Sequence, residues 1–130
     1  MVGLVIVSHS AKLAEGVTEI AAQMAGRELK LVAAGGLQNG GIGTDAVRIG
    51  NAITAADSGD GVVILADLGS AVLSAQMAIE FLEEPLCARV RIADAPIVEG
   101  AVSAAIQATI GSPLGEVADA AEQARALCKL

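Results

Sequence analysis

The chain has 130 residues, 54% apolar and 18% charged, which suits one packed domain and excludes a disordered chain. Fifteen Asp and Glu against eight Lys and Arg give a net charge of -7, a poor match for nucleic acid or an anionic membrane. One Phe and no Trp or Tyr leave no rings for base stacking or an aromatic cage.

Met1 leads straight into an apolar run with no basic segment, so no signal peptide and a cytoplasmic location are expected. Residues 3–7 (GLVIV) form a short β-branched run that predicts a buried strand. From Ser10 the period turns helical, with Leu13, Val17, Ile20, Ala21 and Met24 as the expected inner stripe and Gly26 as the stop. Residues 29–33 predict a second strand. The loop at residues 35–44 holds five glycines, and Ile49, Ala52, Ile53 and Ala56 mark the helix after it.

Residues 62–66 predict the third and most apolar strand, with residues 67–70 as its exit loop and residues 72–82 as a helix stopped before Pro85. The stretch 61–79 carries Asp67 near its middle and is broken by Gly69 and Ser70. It therefore reads as strand, turn and helix, not as a membrane span. Residues 86–92 alternate, with Arg89 and Arg91 on one side, and predict an edge strand containing Cys87. Residues 96–110 predict a helix with Val98, Val102, Ile106 and Ile110 inward. Ser112 and Pro113 read as N-cap and N1 of a last helix running to about Leu127.

Strands alternating with helices argue for an α/β fold: one domain over residues 1–130, an open sheet of about four parallel strands with helices on both faces. Ligands of such sheets sit at the carboxyl ends of the strands, where strand order reverses. Four segments should meet there: Ser8, His9 and Ser10; the glycine loop; Asp67 to Ser70; and Asp94 to Pro96.

His9 is the chain's one histidine. It sits between a buried strand and the first turn of a helix, where helix amides favour an anion and a neutral, nucleophilic imidazole. Ser8 and Ser10 can cap that helix or bond phosphoryl oxygens. Asp67 is either a cap or a carboxylate that accepts the other imidazole N–H and fixes the tautomer. Ser70 is a cap, an oxyanion contact, or both. Gly40, Gly41, Gly43 and Thr44 can bring backbone amides near a phosphoryl group. The same loop lacks the Lys of a nucleotide P-loop, because Ile42 stands in its place, and its GxGxxA match follows the wrong strand for a dinucleotide site. Cys87 and Cys128 lack CxxC spacing, so neither a disulfide, a metal nor a bound cofactor is expected. Lys12 and Arg48 flank these segments and are candidate rim contacts for a docking protein.

The segments VGLVIVSHS (residues 2–10), GGIGT (40–44) and LADLGSA (65–71) resemble the mannose-type enzyme IIA family of the bacterial phosphotransferase system. Within it they most resemble the phosphotransfer subunits of phosphoenolpyruvate-dependent dihydroxyacetone kinase. The resemblance implies a parallel α/β sheet, a homodimer, and a His9 transiently phosphorylated by the phosphohistidine of HPr. It implies Asp67 as the carboxylate partner of His9. It also implies that the group passes to ADP held on a nucleotide-binding kinase subunit. Two alternatives stand beside it: a sugar-permease IIA that delivers to a IIB domain, and a non-catalytic regulatory module that binds through the same edge.

Overall fold

β1 (Gly3–Ser8) is buried at every position, as its run of Leu4, Val5, Ile6 and Val7 dictates for a central strand covered on both faces. The computed structural model describes residues 1–130. After β1 come α1 (Ala11–Gln23), β2 (Leu31–Gly35), α2 (Ala46–Ala56), β3 (Val62–Ala66), α3 (Gly69–Glu80), β4 (Val90–Ile92), α4 (Ile97–Thr109) and α5 (Leu114–Gln123). The four strands form one parallel sheet in the order β2-β1-β3-β4. The chain steps from β1 to β2 on one side and then crosses to β3 on the other. Strand order therefore reverses between β1 and β3.

Alternate strand residues feed two cores. Leu4, Ile6, Val63 and Leu65 pack under α1, α4 and α5. Val5, Val7, Val62 and Ile64 pack under α2 and α3. Helices thus cover both faces, as the alternating pattern requires.

Of two expected stripes, that of α1 holds only at Val17 and Ala21, and that of α4 fails. α1 buries Ala14, Val17 and Ala21, while Leu13, Ile20 and Met24 are exposed. α4 buries Gly100, Ala101, Ala104, Ala105 and Ala108; Val98, Ile106 and Ile110 are exposed and Val102 is half-buried. α4 packs against α1, α5 and the sheet together, and such close approach selects small side chains. A stripe chosen by bulk misses this. In α2 the expected stripe of Ile49, Ala52, Ile53 and Ala56 is the buried one.

Boundaries move too. Leu29 lies in a turn closed by its N–H on the Gly26 carbonyl, and β2 starts at Leu31. α3 starts at Gly69, so Gly69 and Ser70 belong to its first turn and not to a loop. Residues Leu86–Arg89, with Cys87, form a 3-10 turn, and the strand keeps only three residues. The Cys87 and Ala88 amides bond back to Glu83 and Pro85, which withdraws them from the sheet. α5 is capped at Pro113. The Ser112 hydroxyl instead accepts from Gln107 Nε2, and the helix ends at Gln123 before a 3-10 turn, Ala124–Ala126. No helix is long and apolar enough to cross a membrane.

Candidate functional site

β1 and β3 are paired neighbours, with Val7 beside Ala66, so the residues that follow them emerge together at the carboxyl edge. These are Ser8, His9 and Asp67. Ser8 is the one fully buried polar side chain. Its hydroxyl donates to Asp67 Oδ2 at 2.8 Å and accepts from the Ser10 amide at 3.0 Å. The His9 amide donates to the same Oδ2 at 3.0 Å. The other oxygen, Oδ1, accepts from the Leu68 amide at 2.7 Å and lies 3.0 Å from His9 Nδ1.

Burial pushes the Asp67 carboxyl up, but the bonds from the His9 amide, the Ser8 hydroxyl, the His9 ring and the Leu68 amide outweigh it. The pKa is lowered from its usual value of 3.8. Asp67 is therefore ionised at neutral pH and can only accept. In a neutral ring the proton between it and His9 sits on Nδ1, which leaves the Nε2 lone pair on the side of Ser70. Nε2 lies 2.5 Å from Ser70 Oγ, whose hydroxyl is the donor in that pair. The imidazole is about one-fifth exposed and Asp67 less so.

Ser70 stands in the first turn of α3. That helix begins at Leu68 with no capping side chain, so its first amides have no partner within the helix. They and the positive helix end lie in the same turn as Ser70, an arrangement that favours an anion there. Ser10 is the N-cap of α1, its hydroxyl accepting from the Leu13 amide at 3.2 Å.

The glycine loop reaches the same place by its backbone. The Gly43 amide donates to the His9 carbonyl at 2.8 Å. The Gly40 amide bonds Leu37 O at 3.0 Å, and the Gly41 amide bonds Asn39 Oδ1 at 2.8 Å. All three expected phosphoryl contacts from these glycines are thus occupied, and the loop acts as a brace behind His9. Thr44 Oγ1 lies 2.6 Å from Ser74 Oγ on α3. Sequence reading missed Ser74; its place one helical turn after Ser70 was the available signal.

The fourth segment joins from the β3 side. Asp94 and Ala95 line a cleft of about 380 Å³ with Asp67, Leu68, Gly69 and Gln76. The Asp94 carboxylate faces Arg125 at 3.2 Å and makes no bond to His9. Lys12 and Arg48 are exposed in the first turns of α1 and α2, and neither bonds a residue of the site. No three His, Cys, Asp or Glu side chains gather to hold a metal ion.

A family model described as EIIA-man, PTS system fructose IIA component, matches residues 3–118. The chain belongs to the EIIA-man family. It is a phosphotransferase-system component, and its relatives place it with the DhaM-type members. It is 39% identical over 110 residues to the phosphoryl donor subunit DhaM of PEP-dependent dihydroxyacetone kinase 2 of Listeria innocua, covering 85% of this chain and 88% of that one. It is 33% identical to the phosphotransferase subunit DhaM of Lactococcus lactis, covering 93% and 94%. The match to DhaM of Escherichia coli is 43% identical over 90% of this chain and spans 25% of that longer protein. The crystal structure of the protein of unknown function EF1359 superposes with a TM-score of 0.84 at 38% identity, over 95% of each chain.

Proposed function

We propose that this chain is the phosphoryl donor subunit of a PEP-dependent dihydroxyacetone kinase and that His9 Nε2 carries the group. One observation supports this above the others: an ionised Asp67 on Nδ1 leaves Nε2 as a lone pair beside Ser70 and the open amides of α3. The names of the DhaM relatives supply the kinase context.

The Nε2 lone pair attacks the phosphorus of phospho-HPr. The N–P bond of the donor histidine breaks, and its electron pair returns to the donor imidazole. His9 keeps its Nδ1 proton, and the positive charge that develops on its ring is balanced by Asp67. The Ser70 hydroxyl turns from Nε2 to a phosphoryl oxygen, and the Gly69 and Ser70 amides bond the others. In the second transfer a terminal ADP oxygen on the kinase subunit takes the group and the His9 N–P bond breaks. Neither step needs more from this chain than positioning and charge stabilisation. The resemblance also implies a homodimer in the cytoplasm. The exposed apolar row of Leu73 and Met77 on α3 and Phe81 at its C-cap, with Met77 and Phe81 near Val47 of α2, is a face suited to such pairing.

The test is incubation with phosphoenolpyruvate, enzyme I and HPr, read by intact mass. One acid-labile phosphoryl group is expected, absent from His9→Ala. No gain on the folded chain while HPr is phosphorylated would overturn the reading and favour a binding module. Chasing the phosphorylated chain with the ADP-loaded kinase subunit, or with a IIB domain, separates a kinase donor from a sugar-permease IIA.

A further inference from the structure

Helix α3 makes side-chain bonds at two heights, one to His9 and one to the glycine loop. Ser70 meets Nε2 directly at 2.5 Å. One turn further on, Ser74 meets Thr44 at 2.6 Å; Thr44 follows Gly43, whose amide sits on the His9 carbonyl at 2.8 Å. We propose that Ser74 is a positioning residue for the transfer: its bond to Thr44 keeps the Gly43 brace on His9 and so keeps Nε2 aimed at the incoming phosphorus. This rests on the carrier reading of His9.

Two further observations carry it. A hydroxyl inside a helix commonly turns back to the carbonyl four residues earlier. Thr18 does so on Ala14 and Thr54 on Gly50, whereas Ser74 turns out to Thr44. The loop it holds is also intrinsically loose. Gly36, Gly40 and Gly43 all have positive φ, and Thr44–Ser74 is the loop's one side-chain hydrogen bond to the rest of the protein. Without that bond the Gly43 end of the loop keeps only backbone ties, its own to His9 and that of Gly36 to Ser8. Asp67 still holds the His9 amide and ring, but the His9 carbonyl loses its fixed donor.

Ser74→Ala, Thr44→Val, the double variant and Ser74→Thr form the test, each checked for folding by circular dichroism. Steady-state transfer from phospho-HPr should show kcat lowered roughly tenfold in Ser74→Ala with KM unchanged, as expected when a reacting atom is misaimed but docking is intact. The double variant should match either single one, and Ser74→Thr should restore the rate. ¹⁵N shifts of the His9 ring, which need no partner protein, should move in Ser74→Ala and return in Ser74→Thr. Thr44→Val reports the same bond if Ser74→Ala folds poorly. Wild-type kcat and ring shifts in Ser74→Ala and Thr44→Val, or losses that multiply in the double variant, overturn the proposal. If the wild type accepts no phosphoryl group the carrier reading fails, and the ring shifts still decide whether Ser74 positions His9.

Discussion

Asp67 accepts two hydrogen bonds from His9, one from its main-chain amide and one from its imidazole Nδ1, each at 3.0 Å. One carboxylate therefore sets both the direction of the backbone and the tautomer of the ring. Asp67→Asn keeps the shape but removes the charge that balances a phosphorylated imidazole. Phosphoryl transfer to His9 should fall by on the order of a hundredfold or more, while His9 remains the modified residue. Rapid-quench measurement of transfer from phospho-HPr checks it; a wild-type rate would show that Asp67 is only structural.

Ser70 should matter to rate more than to fold. It is exposed, and its hydroxyl bonds nothing but His9 Nε2. Ser70→Ala removes one of the donors proposed for the phosphoryl oxygens and should slow transfer by on the order of a hundredfold. Its thermal midpoint should stay at the wild-type value in differential scanning calorimetry. A slow enzyme with a lowered midpoint would instead make Ser70 a structural cap.

Two glycines should respond in opposite directions to the same methyl group. A Cβ on Gly35 would lie 2.5 Å from the Ser10 carbonyl and 2.8 Å from Ala14 Cβ, where the end of β2 presses on the start of α1. Gly35→Ala should destabilise by about 1–3 kcal/mol or more and disturb the loop behind His9. Gly16 lies within α1 with nothing within 4 Å of its would-be Cβ. Gly16→Ala should stabilise by about 0.5–1 kcal/mol through lower unfolded-state entropy. Urea unfolding of both variants decides this.

Acid should weaken the fold through two carboxylates. Asp57 accepts from Arg89 Nε at 3.1 Å and Nη2 at 2.6 Å, tying the turn after α2 to the segment before β4. Chiefly through that side-chain bond, its pKa is lowered from 3.8 to about 2. Because the folded value lies below the unfolded one, the stabilisation is fully present above 3.8 and is lost as pH falls through about 2. The lowered Asp67 acts in the same direction. Asp57→Asn should be less stable at pH 7 and should lose stability less steeply between pH 4 and pH 2. Parallel pH profiles for variant and wild type would count against the Asp57–Arg89 tie.

How far the sequence could be read followed what each element depends on. Residues 3–7 and 62–66 are runs of branched apolar side chains too short for helices, so they read as central strands, and they are. His9 and Asp67 could be singled out because each follows such a strand, and parallel strands bring their ends to one edge. Residues 86–92 misled, because their alternation matches a strand while the backbone bonds of Cys87 and Ala88 go to the turn before it. The inner faces of α1 and α4 misled for another reason: bulk marks apolarity, but closeness between helices selects Ala.

By itself the sequence determined the fold class, the strand–helix order and the residues of the carboxyl edge, since these follow from local period and from residues a few positions apart. The tertiary structure alone decided that Nδ1 faces Asp67 and Nε2 faces Ser70, that the glycine amides are occupied, and that Ser74 reaches Thr44. The His9–Asp67, His9–Ser70, Gly43–His9 and Thr44–Ser74 contacts join residues about 30 to 60 positions apart, set by how β1, β3 and α3 pack, and local period carries no information about them.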